Sequence, residues 1–175
     1  ASSLVYVNPA YLGSSGDKVT VDTNTAGGAI NGANSGRVFR TLAPALQSNA
    51  NSSGARYLSF LFQSGQETGA TTYQTLALYN SDTADSNRFF DIGISQNATE
   101  YNFGILNNYI TTGVPTNANV RLIVVKFNLS TADASDSVTV WIDPVIAGGE
   151  PVSGNSTTVT GLNLNWDRIA FSDYD

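Results

Sequence analysis

The chain is 175 residues long, enough for a single domain spanning 1–175 that buries roughly 70% of its unfolded surface without staples. It contains neither cysteine nor histidine, which excludes disulfides, thiolate metal centres, Ser-His-Asp sites, Cys-His pairs and the common zinc ligand sets. Eight basic residues against fourteen acidic ones leave a net charge of -6, a field that argues against nucleic-acid and anionic-membrane partners.

Charged residues make up only 13% of the chain, so solubility falls to Asn, Ser, Thr and Gly, as on many extracellular β-domains. The longest apolar runs fall far short of the roughly 20 residues of a membrane helix. The sequence starts at Ala1 and not at methionine, which reads as either a processed mature form or an excised piece, and the expectation is a secreted or cell-surface protein, with removal of a signal peptide as the hypothesis for its start.

Along the chain, short runs rich in β-branched and aromatic residues alternate with period two between Gly, Asn, Ser and Asp clusters, and helix signal is nearly absent. Strands are predicted at 4–7, 19–22, 37–42, 57–62, 75–79, 89–94, 101–105, 121–128, 138–143, 157–160 and 168–171. The glycine-rich stretch 26–36 has no GxGxxG or GxxxxGK spacing and no βαβ context, so it reads as a surface loop and not a phosphate cradle. In 57–62, Leu58, Phe60 and Phe62 share one face while Tyr57, Ser59 and Leu61 share the other. In 121–127, Ile123, Val125 and Phe127 oppose Leu122, Val124 and Lys126. The polar connector 128–137 reads as the loop of a hairpin into 138–143, and Pro144 is expected to end that strand because it lacks a ladder donor.

The carboxylates do not form a glycosidase pattern. Hydrolysis of a glycosidic bond needs two carboxyl groups about 5.5 Å or about 6.5–9.5 Å apart, which alternate positions on one strand would supply. The three glutamates, Glu67, Glu100 and Glu150, are dispersed over predicted loops and strand margins, so a noncatalytic protein is expected. Asp133 and Asp136 lie in the hairpin connector, where they either cap local backbone or contribute to a calcium site. Asp167, Asp173 and Asp175 flank the last strand, where a structural Ca2+ competes with a simple Asp167–Arg168 pair and solvated acids.

Aromatic residues are the candidate ligand contacts, because a sugar ring stacks its C–H face on Trp or Tyr while Asn, Asp and Gln take the hydroxyls. Trp141 alternates with Val140 and Ile142 and, with those two and Val138 in the core, is expected on the outward or concave face beside Thr139, either as a sugar platform or as a core or cross-strand filler. Tyr73, Tyr101 and Tyr109 follow as loop aromatics, accompanied by Asn102, Asn107 and Asn108. Trp166 reads as a core residue.

The succession Arg40-Thr41-Leu42, 57–62, Leu76-Ala77-Leu78-Tyr79-Asn80, 88–93, 101–105, 121–127, Val138-Thr139-Val140-Trp141-Ile142-Asp143-Pro144 and Asp167-Arg168-Ile169-Ala170-Phe171 resembles the laminin-G-like, concanavalin-A-like jelly-roll domains of exported bacterial proteins. The resemblance runs from about Arg37 to Phe171. It implies an all-β, two-layer antiparallel β-sandwich of jelly-roll type, with ligands on a concave face or at loop tips and often a structural calcium. The function it suggests is a noncatalytic, lectin-like carbohydrate-binding module taking a glycan or polysaccharide. The alternative is a structural or adhesive domain with an extracellular protein partner. Fold analogy does not choose between them.

Overall fold

The computed structural model describes residues 36–62, 73–81, 85–94, 99–105, 108–116, 119–147 and 149–174. The strands expected at 4–7 and 19–22, most of the glycine-rich stretch, Glu67, Asn107 and Asp175 lie outside the described residues. The described residues form ten strands: β1 (Gly36–Thr41), β2 (Gly54–Phe62), β3 (Tyr73–Tyr79), β4 (Arg88–Ile94), β5 (Glu100–Ile105), β6 (Asn108–Pro115), β7 (Arg121–Leu129), β8 (Asp136–Ala147), β9 (Glu150–Leu162) and β10 (Arg168–Tyr174). Among the described residues, helix is confined to single 3-10 turns at Pro44–Leu46 and Asp85–Asn87.

Every strand pairing is antiparallel, in a six-stranded sheet of order β1-β10-β3-β4-β5-β6 and a four-stranded sheet of order β2-β7-β8-β9. The chain changes sheet between β1 and β2, between β2 and β3, between β6 and β7, and between β9 and β10. The last of these returns the C-terminal strand to a place between β1 and β3.

Period-two alternation decides which side chains meet between the layers. Leu76, Leu78, Phe90, Ile92, Tyr101, Phe103 and Ile169 from one sheet and Ile123, Val125, Phe127, Val138, Val140 and Ile142 from the other form one buried cluster. Aromatic contacts cross the interface: Phe90 meets Phe127 edge-on at 5.2 Å between centroids, and Phe62 meets Tyr101 edge-on at 5.9 Å. Trp166 is interior, as read from the sequence, with its ring 4.8 Å from Phe127 and its Nε1 donating to the Leu46 carbonyl at 2.9 Å. The fold is a two-layer β-sandwich.

The strand boundaries differ most from expectation in three places. β6 occupies 108–115, where a loop was expected, because the stretch carries Thr-Thr-Gly between Ile110 and Val114 and shows only weak alternation. β9 runs thirteen residues where four were expected, since Ser, Thr, Gly and Asn suffice for an edge strand with one face in water. β8 does not stop at Asp143. It leaves the β7 ladder after Ile142, passes Pro144 through a register irregularity, and stays paired with β9 as far as Ala147. Pro144 costs only its own ladder bond, and the continuing hairpin supplies the rest.

Candidate functional site

The outward face of the four-stranded sheet is built by the residues that alternate with the core set. Its rows follow from the register: Ala55, Asn128, Ser137 and Thr160; then Tyr57, Lys126, Thr139 and Thr158; then Ser59, Val124, Trp141 and Ser156. Trp141 is therefore on the outward face, as its alternation with Val140 and Ile142 requires, and it is half-buried there. Its row neighbours on β9 and β2 carry hydroxyls. The next row holds the Thr139–Thr158 hydroxyl pair at 2.9 Å, and the row beyond holds Asn128 Nδ2 donating to Ser137 Oγ at 3.2 Å. Tyr57, two strands across and one row along, is 44% exposed. Strand spacing and rise put the Cα atoms of Trp141 and Tyr57 about 12 Å apart, enough for two separate rings to stack.

The far end of the β8–β9 hairpin lies over this same face. Asp143, at φ 51°, breaks the extended run, and its carboxylate accepts from the Leu122 N–H at 2.9 Å and from Arg121 Nη1 at 2.6 Å. On the partner strand Gly154 sits at φ 128°, and a Cβ there would come within 3.0 Å of Pro144 Cα. Beyond that point the strand pair folds back: Glu150 Oε1 accepts from the Tyr57 hydroxyl at 2.5 Å, and Oε2 stands 3.6 Å from Lys126 Nζ. Tyr57 and Lys126 are level with Thr139, four residues before Asp143, so the hairpin has doubled back across the sheet. Val124, which points to this face, is only 6% exposed. The Tyr57 hydroxyl, and after it Lys126, hold the Glu150 carboxyl below its usual range, while Tyr57 raises the Lys126 ammonium.

The remaining expected contacts are scattered. Tyr101 is not a loop aromatic: it is fully buried in β5 among the core rings, because its alternation with Asn102 puts it on the inner face with Phe103 and Ile105. Asn102 is a strand residue on the opposite, outward face of the six-stranded sheet, 5% exposed and so withdrawn from any rim. Tyr73 begins β3 instead of lying in a loop. Tyr109 belongs to β6, beside Gly104 on that same outward face, with its hydroxyl 3.5 Å from the buried Asp91 carboxylate, which pairs with Arg88 at 3.1 Å. A Cβ at Gly104 would collide with Asp91, so glycine there makes the room this polar cluster needs. Trp141 and Tyr109 thus stand on different sheets and do not form one site.

Three of the acidic residues expected as calcium ligands, Asp133, Asp136 and Asp167, face N–H donors. Asp136, 5% exposed, takes the Ser130 N–H at 2.7 Å and the Leu164 N–H at 2.6 Å, one on each oxygen. Asp133 accepts from Asn163 Nδ2, and Asn163 Oδ1 in turn accepts from the Ala134 N–H at 2.8 Å. Asp167 is bidentate to Arg168 at 2.7 and 3.0 Å and takes the Ser81 N–H at 3.1 Å. Asp173 lies in β10. Among the described residues no three acidic side chains gather in a way that could hold a metal ion. Asp136 does the work of a backbone cap, the other role read for it, whereas the Asp133 carboxylate meets the Asn163 side chain and Asp167 chiefly pairs with Arg168.

The Arg168 hydrogen bond holds the Asp167 carboxyl below its ordinary 3.8, and burial opposes that shift without cancelling it. A carboxyl depressed on folding stabilises the fold above its unfolded value and loses that contribution as pH falls through the folded one. Urea midpoints are therefore expected to decline from about pH 4 downward. Asp167→Asn is expected to flatten that decline, and an unaltered pH slope in the variant would count against the pair.

Tyr57, Lys126 and Glu150 were not singled out as site residues from the sequence. The alternation of Tyr57 with Leu58 and of Lys126 with Val125 already placed both outward, but nothing local signalled the long reach from Glu150. Compared with family models and with curated proteins, the chain matches none.

Proposed function

We propose that this is a noncatalytic carbohydrate-binding module of a secreted or cell-surface protein, on a jelly-roll sandwich of the laminin-G-like, concanavalin-A-like type. The observation that carries the reading is the outward face of the four-stranded sheet, where Trp141 and Tyr57 stand among the side chains of Ser59, Ser137, Thr139, Ser156, Thr158, Thr160 and Asn128. An aromatic platform set mostly among uncharged hydroxyl and amide groups, with the Lys126–Glu150 pair at its Tyr57 end, suits a neutral polysaccharide, whose rings stack and whose hydroxyls exchange hydrogen bonds. The jelly-roll assignment is supported by the antiparallel sheets and by the return of β10 beside β1. The noncatalytic reading rests on the lack of histidine and cysteine in the chain and on the uses found for two of its three glutamates: Glu100 accepts from the Gly113 N–H, and Glu150 from Tyr57.

The test is affinity electrophoresis and glycan-array binding of the native protein beside Trp141→Ala and Tyr109→Ala. Trp141→Ala is expected to weaken glycan binding at least about tenfold, the equivalent of about 1.4 kcal/mol, with an unchanged far-ultraviolet spectrum. Tyr109→Ala, on the other sheet, is expected to bind as the native protein does. Binding lost in Tyr109→Ala and kept in Trp141→Ala would move the site to the six-stranded sheet, and a native protein that retains no glycan would overturn the reading.

A second reading, adhesion to an extracellular protein, is favoured by one observation: Val145, Ile146 and Val152 are all strongly exposed on the hairpin extension. Exposed apolar clusters of this kind mark association surfaces. Under that reading Val152→Ser with Ile146→Ser would abolish partner capture while Trp141→Ala would not.

A further inference from the structure

We infer that the β8–β9 hairpin is a hinged flap, latched by Glu150 onto Tyr57 and Lys126, that must lift before a glycan reaches Trp141. The inference rests on the sugar-binding reading above for what the flap admits, and on geometry alone for the flap itself.

The hinge is visible in both strands at one level. Asp143 has left-handed φ, Pro144 follows it, and Gly154 faces Pro144 with φ in the range that favours glycine. The ladder to β7 ends at Ile142, so the hairpin beyond it is held to the sheet by neither neighbouring strand. Asp143 fixes the base of the hinge, because its two oxygens are anchored on Leu122 and Arg121. What moves is the segment past it.

The latch is weak by construction. Glu150 is exposed, and an exposed carboxylate paired with lysine and a phenol contributes little in water, so the closed state is favoured only slightly. A hairpin folded back as far as Tyr57 and Lys126 passes the row of Trp141. Val124 is the row neighbour of Trp141 and is almost wholly screened from solvent, although it points away from the core. Latch and ligand also compete for the same group: the Tyr57 ring is a candidate sugar platform, and its hydroxyl is the donor Glu150 uses. A glycan that binds only the open form has its affinity reduced by the open fraction, so loosening the latch must strengthen binding.

Acrylamide quenching of tryptophan fluorescence tests the flap without any ligand. Trp166 is 2% exposed and stays shielded in either state, so a change in quenching reports Trp141, and Trp141→Phe is expected to remove it. Glu150→Ala is expected to raise the Stern–Volmer constant about twofold and the affinity for a retained glycan about threefold, as a larger open population requires. The chain has no native cysteine, so Lys126→Cys with Glu150→Cys can be bridged by a short bifunctional thiol reagent to lock the flap shut. The bridged protein is expected to quench less than the native one and to lose glycan binding until the bridge is cleaved. Quenching unchanged in Glu150→Ala would overturn the flap whatever the glycan result. Quenching that rises while no variant retains a glycan would support the moving flap and overturn the sugar-binding reading instead. A bridged protein that binds glycan at the native level would overturn the gating role.

Discussion

Phe127→Ala is expected to lower the unfolding free energy by about 4 kcal/mol, the middle of the range for deleting a fully buried ring. Phe127 is 2% exposed on β7, an interior strand of its sheet. Its ring is packed edge-on to Phe90 at 5.2 Å and against Trp166 at 4.8 Å, so it joins β7 to a strand of the other sheet and to the indole that precedes β10. Truncation removes the transfer energy of the ring and leaves a cavity between layers that β7 and β8, tied by their ladder, cannot close. For a chain of this length the loss corresponds to a fall in Tm of about 12 °C. Phe127→Leu keeps most of the volume and is expected to cost less than half as much. Equal losses in the two variants, measured by urea or thermal unfolding, would mean that the ring contacts contribute nothing beyond bulk.

Asp136→Ala is expected to cost about 3 kcal/mol, for a different reason: two backbone N–H groups would lose charge-assisted acceptors in a place that water reaches poorly. One oxygen holds the Ser130 amide at the start of the β7–β8 connector, and the other holds the buried Leu164 amide, which follows β9. A single carboxylate thus ties a hairpin loop to a segment twenty-eight positions further along the chain. Asp136→Asn keeps one acceptor and turns an N–H donor toward the other amide, so it is expected to recover only part of the loss. A value for alanine near zero would mean that solvent replaces both bonds. The melting curve that reads this variant also addresses the metal question, since a carboxylate engaged by two amides predicts no response to calcium or to chelator at this position.

Much of the fold was legible in the residues. The inward set Leu58, Phe60, Phe62, Ile123, Val125, Phe127, Val138, Val140 and Ile142 follows from alternation, and in the structure each of these side chains is in or against the core. Trp141 was placed outward by the same rule, and Trp166 inward. The rule has a physical basis: successive side chains of an extended chain leave on opposite sides, so a run of six or seven residues carries its own statement of which face is dry. Tyr101 obeys the rule, and counting it among the loop aromatics conflicts with its place as the first residue of the strand expected at 101–105. Had Tyr101, Phe103 and Ile105 been read as one face, the ring would have gone to the interior. β6 and most of β9 were hidden for the opposite reason, since edge strands bury little and their Ser, Thr and Gly carry almost no contrast between faces.

The candidate site was less legible than the fold. Trp141 could be found, but Tyr57 and Glu150 are separated by 93 positions, and their contact depends on a strand pair leaving its sheet and doubling back. Pro144 signalled an interruption at that point and was read as a stop. The structure shows a bend that the hairpin survives, because β9 stays paired along its own edge of β8 after the β7 ladder has ended.

The sequence by itself determined the class of structure, the sidedness of most strands and the loss of histidine and cysteine chemistry, since these depend on composition and on neighbours two positions away. Only the tertiary structure decided which strands lie side by side, that Tyr109 and Trp141 face away from one another on separate sheets, and that a hairpin folds back onto Tyr57 and Lys126. Those outcomes depend on where the chain crosses between layers and on backbone angles at Asp143 and Gly154, quantities that no short window of residues encodes.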